Sequence, residues 1–276
     1  MAQRKTRGRL SGHEEEDAVR RSAPRAAVVF EAIRHEAVEE LARGNPALFW
    51  SGLAAGLSMG FSFIAEGLLQ SALPEAAWRP LISKFGYSIG FMIVILGRQQ
   101  LFTENTLTPV IHVMRERHPG VLLDALRLWG VVLAANIIGT TIFGTGLYFA
   151  DIFTPAQDAT LAALAADAAA GGFGQTLLSA IFAGWLIALM VWLLPVAETA
   201  RVVVIIIITY LVGIGGFPHI IAGSTLVTYA LVSGATAPAD ALAGFFVPTL
   251  IGNIIGGVAF VAALNYAQVS PDERRP

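Results

Sequence analysis

Long stretches without charge alternate with short charged segments along the chain, and this pattern predicts membrane-spanning helices. A helix needs about 20 apolar residues to cross the hydrocarbon core, and a charged side chain at mid-bilayer is costly. The uncharged stretches 46–65, 128–150, 175–195 and 244–267 each match one such span. They predict spans 1, 3, 4 and 6 of an all-α membrane protein.

Two further stretches do not fit one continuous helix. Runs 85–97 and 105–114 are each too short to cross a membrane, and the segment RQQLFTEN interrupts them. Run 202–239 is too long for one straight span and too short for two, and it contains GIGGFPH, whose glycines and Pro218 weaken a helix. We therefore predict that spans 2 and 5 are broken helices. Non-helical backbone at membrane depth is tolerated only where protein or a water-lined cavity forms hydrogen bonds with its polar groups. The binding sites of many transporters are built in this way.

Six spans place both termini on one side of the membrane, and the distribution of Lys and Arg predicts which side. Fifteen of the 18 bases fall on the side of the termini, whereas only Arg79 and Lys84 fall on the other side and Arg98 lies within the membrane. The loop 151–174 on that other side carries acidic residues and no base. Because cytoplasmic segments are enriched in Lys and Arg, we expect both termini to be cytoplasmic.

Two pairs of segments resemble each other and predict an internal repeat. AANIIGTTIFG (134–144) matches IGNIIGGVAFV (251–261) at a shift of 117 residues, and LFTENTLTPV loosely matches FPHIIAGSTLV at a shift of about 115. An odd number of spans per copy forces the two copies into opposite orientations, so the repeat is an inverted 3+3 repeat. Asn136 and Asn253 occupy equivalent positions, and we expect them and Pro218 to support the broken backbone while neighbouring glycines allow close helix approach.

Composition removes several other classes of protein. Of the 276 residues, 55% are hydrophobic and only 14% are charged, against about 25% in soluble domains, and the net charge is −2. These values argue against a cytosolic enzyme and against a nucleic-acid-binding protein. The chain has no Cys, no nucleotide-binding or metal motif, and no nucleophile–base pair at membrane depth. We expect no cofactor, no metal and no enzymatic activity.

The charges divide the chain into a predicted arm, a membrane domain and a tail. Residues 1–44 hold 9 of the 18 basic and 8 of the 20 acidic residues, and we read them as a cytoplasmic arm. The membrane domain then covers 45–268, and 269–276 form a cytoplasmic tail.

Within the arm, an amphipathic helix is predicted at about 22–43. Val29, Ile33, Ala37 and Leu41 recur at a spacing of four and give a charged helix an apolar stripe. Such a helix lies on the membrane surface or packs against a neighbouring subunit.

Three motifs resemble the formate/nitrite transporter family: GRQQLFTENTL at 97–107, GFPHIIAGS at 216–224 and GNIIGGVAFVAALNY at 252–266. The resemblance runs from about residue 46 to 267, and the first motif looks most like the poorly characterised inner-membrane branch of the family. It implies an aquaporin-like six-span fold assembled as a homopentamer in the inner membrane, with one pore per protomer. It also implies passage of small monovalent anions or their acids, such as formate, nitrite, lactate or hydrosulfide.

His219, in the break of span 5, is the central candidate residue of this pore. An ionisable group inside the membrane is a functional hypothesis by default, and His219 either protonates or holds an arriving anion or ties the broken backbone together. Thr103 matches the family's Thr in the loop that breaks span 2. The resemblance implies a hydrogen bond from Thr103 to His219 or to the substrate, and the alternative is a cap on the half-helix that begins near Asn105.

Apolar and charged candidates surround this pair. By the resemblance, Leu101 and Phe102 match an apolar gate, and Tyr87 and Phe91 match a second constriction; ordinary packing is the alternative for all four.

Arg98 and Glu104 flank the loop and form either an ion pair with each other, which we favour, or a charged vestibule. Glu66, at the outer end of span 1, is expected to face a subunit contact or lipid headgroups rather than an entrance.

The chain also departs from the family pattern. Gly223 and Gly184 stand where members commonly carry Asn, and the loop 151–174 lacks the Lys that draws anions in many members. A neutral-solute channel of aquaporin-like behaviour therefore remains an alternative to an anion channel. A closed membrane scaffold or sensor is a third.

Overall fold

The computed structural model describes residues 11–13 and 24–269, and the regular elements of this part of the chain are helices. In chain order they are α1 (Ala26–Leu41), α2 (Asn45–Ala72), α3 (Arg79–Leu96), α4 (Thr108–Glu116), α5 (Pro119–Phe149), α6 (Pro155–Ala169), α7 (Phe173–Val196), α8 (Arg201–Ile214), α9 (Ile220–Val232) and α10 (Pro238–Val269). Several of these helices begin with Pro, which has a preset φ and no amide to leave unpaired in the first turn. These residues are Pro46, Pro80, Pro109, Pro119, Pro155 and Pro238.

The predicted all-α membrane fold is confirmed, and spans 2 and 5 are broken. Within the described residues, α2, α3, α5, α7 and α10 are each long and apolar enough to cross a membrane. Span 2 consists of α3 and α4, separated by residues 97–107. Span 5 consists of α8 and α9, separated by residues 215–219, and neither half is long enough to cross alone.

The two copies of the repeat are built on matching helix pairs. The most extensive helix contacts in the described chain are α7 with α10 and α2 with α5. A Cβ added at Gly56 would collide with the carbonyl oxygen of Asn136, and one added at Gly184 would collide with that of Asn253. The two helices of each pair are therefore in backbone contact at a glycine. Small residues allow this close approach of helices in membranes.

The ends of α3 and α8 show the repeat at atomic detail. The amide of Gln99 donates to Val94 at 3.0 Å, and the amide of Phe217 donates to Val212 at 3.1 Å. The two donors, Gln99 and Phe217, are 118 positions apart, and so are the two acceptors. The two copies are therefore related at the breaks by a shift of 118 residues, and not by the shift of about 115 estimated from the sequence. The loose similarity of LFTENTLTPV to FPHIIAGSTLV misaligned the copies because the two breaks differ in length.

The segment 151–174, expected to be a loop, contains the helix α6. Thr154 and Gln157 form a reciprocal capping box at its start, with Pro155 in the first turn. Leu161 and Ala165 are buried, Leu161 against Gly67 of α2. The sequence carries the capping signal TPxQ at this point, and the expectation of a loop did not take it into account.

Helix α1 packs against its own chain. Val29, Ile33 and Ala37 of the expected apolar stripe are buried, and Phe30 joins them at 6.0 Å from the ring of Tyr266 in α10. This cluster also contains residues of α4 and α7. The stripe therefore covers one end of the bundle instead of facing lipid or a neighbouring subunit. The predicted arm residues 1–10 and 14–23 and the tail residues 270–276 lie outside the described residues.

Candidate functional site

His219 occupies the break of span 5 as the N-cap of α9. Its Nδ1 accepts a hydrogen bond from the amide of Ala222 at 3.1 Å, and the residue is only 1% exposed. Because Nδ1 accepts a proton donor, it carries no hydrogen, and the neutral ring carries its hydrogen on Nε2. The helix end and the tautomer of the ring are thus fixed by the same bond.

Thr103 joins the two breaks. The Nε2 of His219 lies 2.7 Å from Oγ1 of Thr103, so Nε2–H donates to the hydroxyl oxygen. Thr103 is fully buried and makes no side-chain cap bond to the turn Glu104–Thr106 that follows it. The hydroxyl therefore engages His219 and does not cap the half-helix.

Asn136 holds the break of span 2. Its Oδ1 accepts from the amide of Phe102 at 2.9 Å, and its Nδ2 donates to the carbonyls of Gly52 at 2.7 Å and Gln100 at 2.9 Å. One fully buried side chain from span 3 thus ties span 1 to the loop of span 2.

Asn253 holds the break of span 5 in the same way. Its Oδ1 accepts from the amide of Ile220 at 2.8 Å, and its Nδ2 donates to the carbonyls of Ala180 at 2.8 Å and Pro218 at 3.0 Å. Backbone groups that a continuous helix would pair internally are paired here by a side chain of span 6.

Two cavities approach this site from opposite ends. The first, which we term the α1-side cavity, has a volume of about 510 Å³ and is lined by α1, the loop after α3 and the ends of α7 and α8. Its titratable lining residues are His35, Glu36, Glu39, Glu40, Arg98, Glu104 and Arg201. The second, which we term the imidazole-side cavity, has a volume of about 370 Å³. Its titratable lining residues are Glu66, Lys84, Tyr87, Asp167 and His219.

A buried apolar segment lies between the cavities. Along one face of α3, Tyr87 lines the imidazole-side cavity and Ile95 lines the α1-side cavity, so Phe91 between them lies at the level of the separation. Phe91 is fully buried. Its ring packs edge-on against His219 at 5.0 Å and at a tilt against Tyr87 at 5.4 Å.

Leu101 and Phe102 complete this segment from the loop of span 2. They are 0% and 1% exposed, and neither lines the α1-side cavity or the imidazole-side cavity. Phe102 packs against Trp129 of α5 at 5.6 Å, and the indole donates to the carbonyl of Asn105 at 2.8 Å. Trp129 was not singled out by sequence analysis, because a Trp on a membrane helix carries no signal of a loop contact. We term Phe91, Leu101 and Phe102 the apolar neck.

The favoured ion pair between Arg98 and Glu104 is not formed. Arg98 instead contacts Glu36 of α1 at 2.8 Å. Both Arg98 and Glu104 line the α1-side cavity, which is the vestibule that the sequence offered as the other reading. The sequence did not reveal the partner because α1 reaches the loop only through tertiary packing.

The imidazole-side cavity contains an unexpected ion pair. Glu66, 4% exposed, pairs with Lys84, and both line the cavity. The expectation that Glu66 faces lipid headgroups or a subunit is wrong for this chain. The segment 151–174 lines this cavity and lacks Lys, but Lys84 supplies a cation to it.

The two glycines at the family's Asn positions have structural reasons. A Cβ on Gly223 would collide with the ring of Phe245, which lies in a π-helical turn of α10 and lines the imidazole-side cavity. At Gly184, the backbone of Asn253 takes the space next to the glycine, as described above. The space that an Asn side chain would need is therefore filled at both positions.

Comparison with known proteins places the chain among membrane channels. The profile of the family described as "Formate/nitrite transporter" matches residues 27–267. The inner membrane protein YfdC of Escherichia coli is 40% identical over 248 residues, covering 90% of this chain and 80% of that protein. The formate channel BtFdhC of Bacillus thuringiensis is 26% identical over 250 residues, covering 87% of this chain and 93% of that protein. A pentameric formate channel solved with formate bound superposes with a TM-score of 0.71 at 20% identity, covering 82% of this chain and 98% of the other.

Proposed function

The chain belongs to the formate/nitrite transporter family, and from this premise we propose that it is a membrane channel or transporter for small monovalent anions or their weak acids. The observation that carries the proposal is the buried His219–Thr103 pair beside an apolar neck between two cavities. Relatives named as formate channels support the substrate class.

The neck favours passage of a neutral acid over a bare anion. An unpaired charge is expensive to transfer into apolar surroundings, whereas a small neutral acid loses much less solvation. The Nε2–H of His219 is the donor available to a permeant that displaces Thr103 at the edge of the neck. Nδ1 stays engaged with the amide of Ala222, so the ring acts as a hydrogen-bond donor and needs no positive charge.

We place residues 45–268 in the membrane as the channel domain, with 1–44 as a cytoplasmic arm and 269–276 as a cytoplasmic tail. The inner-membrane relative and the bias of Lys and Arg towards the side of the termini support an inner-membrane location with the α1-side cavity facing the cytoplasm. The pentameric formate channel supports assembly as a homopentamer. Membership of a family of channels and transporters supports a non-enzymatic role.

The test is flux through proteoliposomes, with a His219 variant designed around the cap. Because Asn is among the best N-cap residues, His219→Asn keeps an acceptor for the amide of Ala222 while removing the imidazole. We expect the wild type to pass formate, nitrite or lactate faster than empty liposomes do. His219→Asn should lower this flux about tenfold or more, as loss of a buried donor implies, while its thermal stability stays close to that of the wild type.

His219→Ala is the matched comparison, since it removes both the imidazole and the cap. We expect the same loss of flux together with about 1 kcal/mol of lost stability. If His219→Asn retains full flux and only His219→Ala is impaired, then the histidine serves the helix end and not the permeant.

A neutral-solute channel is the second candidate, and the charges of the cavities favour it. Four carboxylates and two guanidinium groups line the α1-side cavity, and two carboxylates and one ammonium group line the imidazole-side cavity. Neither cavity therefore offers a positive field that concentrates anions. Glycerol and water flux in the same proteoliposomes decides between the two: fast glycerol entry without anion flux supports this candidate.

A further inference from the structure

Glu104 is a titratable group at the neck that the permeation route described above does not use. It directly follows Thr103 in the chain and opens the turn Glu104–Thr106, while Thr103 contacts His219 at 2.7 Å. Glu104 lines the α1-side cavity, whereas Thr103 touches neither cavity. Consecutive Cα atoms are about 3.8 Å apart, so Glu104 is the first titratable group on the α1 side of the neck.

The carboxylate of Glu104 has no hydrogen-bond or ion-pair partner in the described part of the chain, and the nearby donors are engaged elsewhere. Arg98 contacts Glu36 at 2.8 Å. The side chain of Gln100 is also engaged: its Nε2 donates to Glu40 at 2.5 Å, and its Oε1 accepts from Nδ2 of Asn105 at 3.0 Å.

Three of the other titratable groups around the cavity are further carboxylates. His35, Glu36, Glu39 and Glu40 face the cavity from α1, and Arg201 faces it from the exposed start of α8. Nearby carboxylates repel one another when all are charged, and a proton on one of them relieves the repulsion. The wall next to the neck is therefore suited to receive a proton.

We infer that Glu104 is the proton acceptor and donor on the α1 side of the neck. A weak acid that leaves the neck as a neutral molecule transfers its proton to the carboxylate of Glu104. The substrate O–H bond breaks, an O–H bond forms on Glu104, and the electron pair stays on the substrate, which departs as an anion. The proton then passes to water in the cavity, and the reverse sequence protonates an anion that arrives from this side. Net passage is thus one proton with each anion. This inference rests on the proposed function.

The test compares isosteric and conservative variants in proteoliposomes that contain a pH indicator. Glu104→Gln removes the titratable group and keeps its shape, whereas Glu104→Asp keeps a carboxylate. Glu116→Gln, at the exposed end of α4 and outside both cavities, is the control. We expect Glu104→Gln to lower formate-driven acidification about tenfold or more at neutral pH and to flatten its pH dependence, since general acid–base groups contribute at least that much. Glu104→Asp should restore part of the loss, and Glu116→Gln should match the wild type.

An infrared measurement separates this inference from the proposed function. The pH-difference spectrum of the purified wild type should contain a carboxylic-acid band that is absent from Glu104→Gln and present in Glu116→Gln. If the wild type transports formate but Glu104→Gln matches it in flux, pH profile and spectrum, Glu104 is not the acceptor and the channel function stands. If the wild type moves no weak acid, the proposed function fails, and so does proton transfer to a permeant at Glu104. Melting temperature and oligomeric size of each variant exclude misfolding as the cause of a loss, and partial rescue by Glu104→Asp would confirm a functional carboxylate.

Discussion

The two broken spans share a scaffold but differ in what fills the gap. In both, the first half-helix ends with a left-handed residue, Arg98 at φ 53° and Gly216 at φ 60°, which lie 118 positions apart. In both, an asparagine of the following span, Asn136 or Asn253, makes one accepted and two donated hydrogen bonds to loop and helix backbone. The inverted repeat therefore preserves the bonds that let a helix stop inside a membrane.

The gaps themselves diverge beyond these shared bonds. In span 5, the second half-helix begins at once with His219 as its cap. In span 2, the register of 118 places Leu101 at the position of His219, and α4 begins only at residue 108. The longer gap accommodates Leu101 and Phe102 of the apolar neck and Glu104. The comparison teaches that duplicated backbone chemistry sets the fold, while the unmatched residues of each gap set the site.

Loss of either asparagine should give the largest effect and tests whether the scaffold is truly shared. Asn136→Leu or Asn253→Leu leaves a loop amide and a loop carbonyl without partners in a buried site, at about 1–3 kcal/mol each. We therefore expect about 3 kcal/mol or more of destabilisation for each variant, measured by reversible unfolding in mixed micelles. Asn265→Leu loses a single bond to the carbonyl of Val261 and serves as the control, with an expected loss below about 1 kcal/mol. A large loss from only one of the two buried asparagines would show that the breaks are held differently.

A methyl group at the helix contacts should give an intermediate effect. Gly184→Ala forces α7 away from the backbone of Asn253, and overpacking of this kind costs typically about 1–3 kcal/mol. Gly174→Ala lies on the same helix with nothing within 4 Å of the added Cβ, so it should be neutral or slightly stabilising. The measurement is the melting temperature of the two variants in one detergent. Equal melting temperatures would mean that α7 and α10 shift apart without cost and that close approach does not support the break.

The spans, their breaks and the supporting asparagines could be predicted better than the site, because each of them depends on a pattern of residues that are close in the sequence. Uninterrupted apolar runs marked the spans, and Pro218 with its neighbouring glycines marked one break. The similarity around Asn136 and Asn253 located both supporting side chains, since each works within a short repeated motif. These features depend on residues that are close in the chain.

The contacts that could not be predicted join distant segments. Arg98 and Glu36 are brought together only when α1 folds back over the end of the bundle. The pair of Glu66 with Lys84 likewise depends on how α2 packs against α3. A charge near an interrupted span indicates a polar site, but its partner is chosen by tertiary packing.

The smallest expected effect concerns the left-handed residue that both breaks share. Arg98→Gly removes a steric cost of about 1–2 kcal/mol for a side chain in this conformation, and it loses an ion pair whose arginine is 67% exposed and which is therefore worth about 0–1 kcal/mol. We expect a net stabilisation of up to about 1 kcal/mol, seen as a small rise in melting temperature.

Gly216→Ala is the reverse change at the equivalent position. Its added Cβ meets nothing within 4 Å, so the expected loss of about 1 kcal/mol comes from backbone conformation alone. A gain in stability for Arg98→Gly and a loss for Gly216→Ala would support the equivalence of the two helix ends. Destabilisation by Arg98→Gly would instead mean that the contact with Glu36 outweighs the strain, and that the span 2 break depends on α1 as the span 5 break does not.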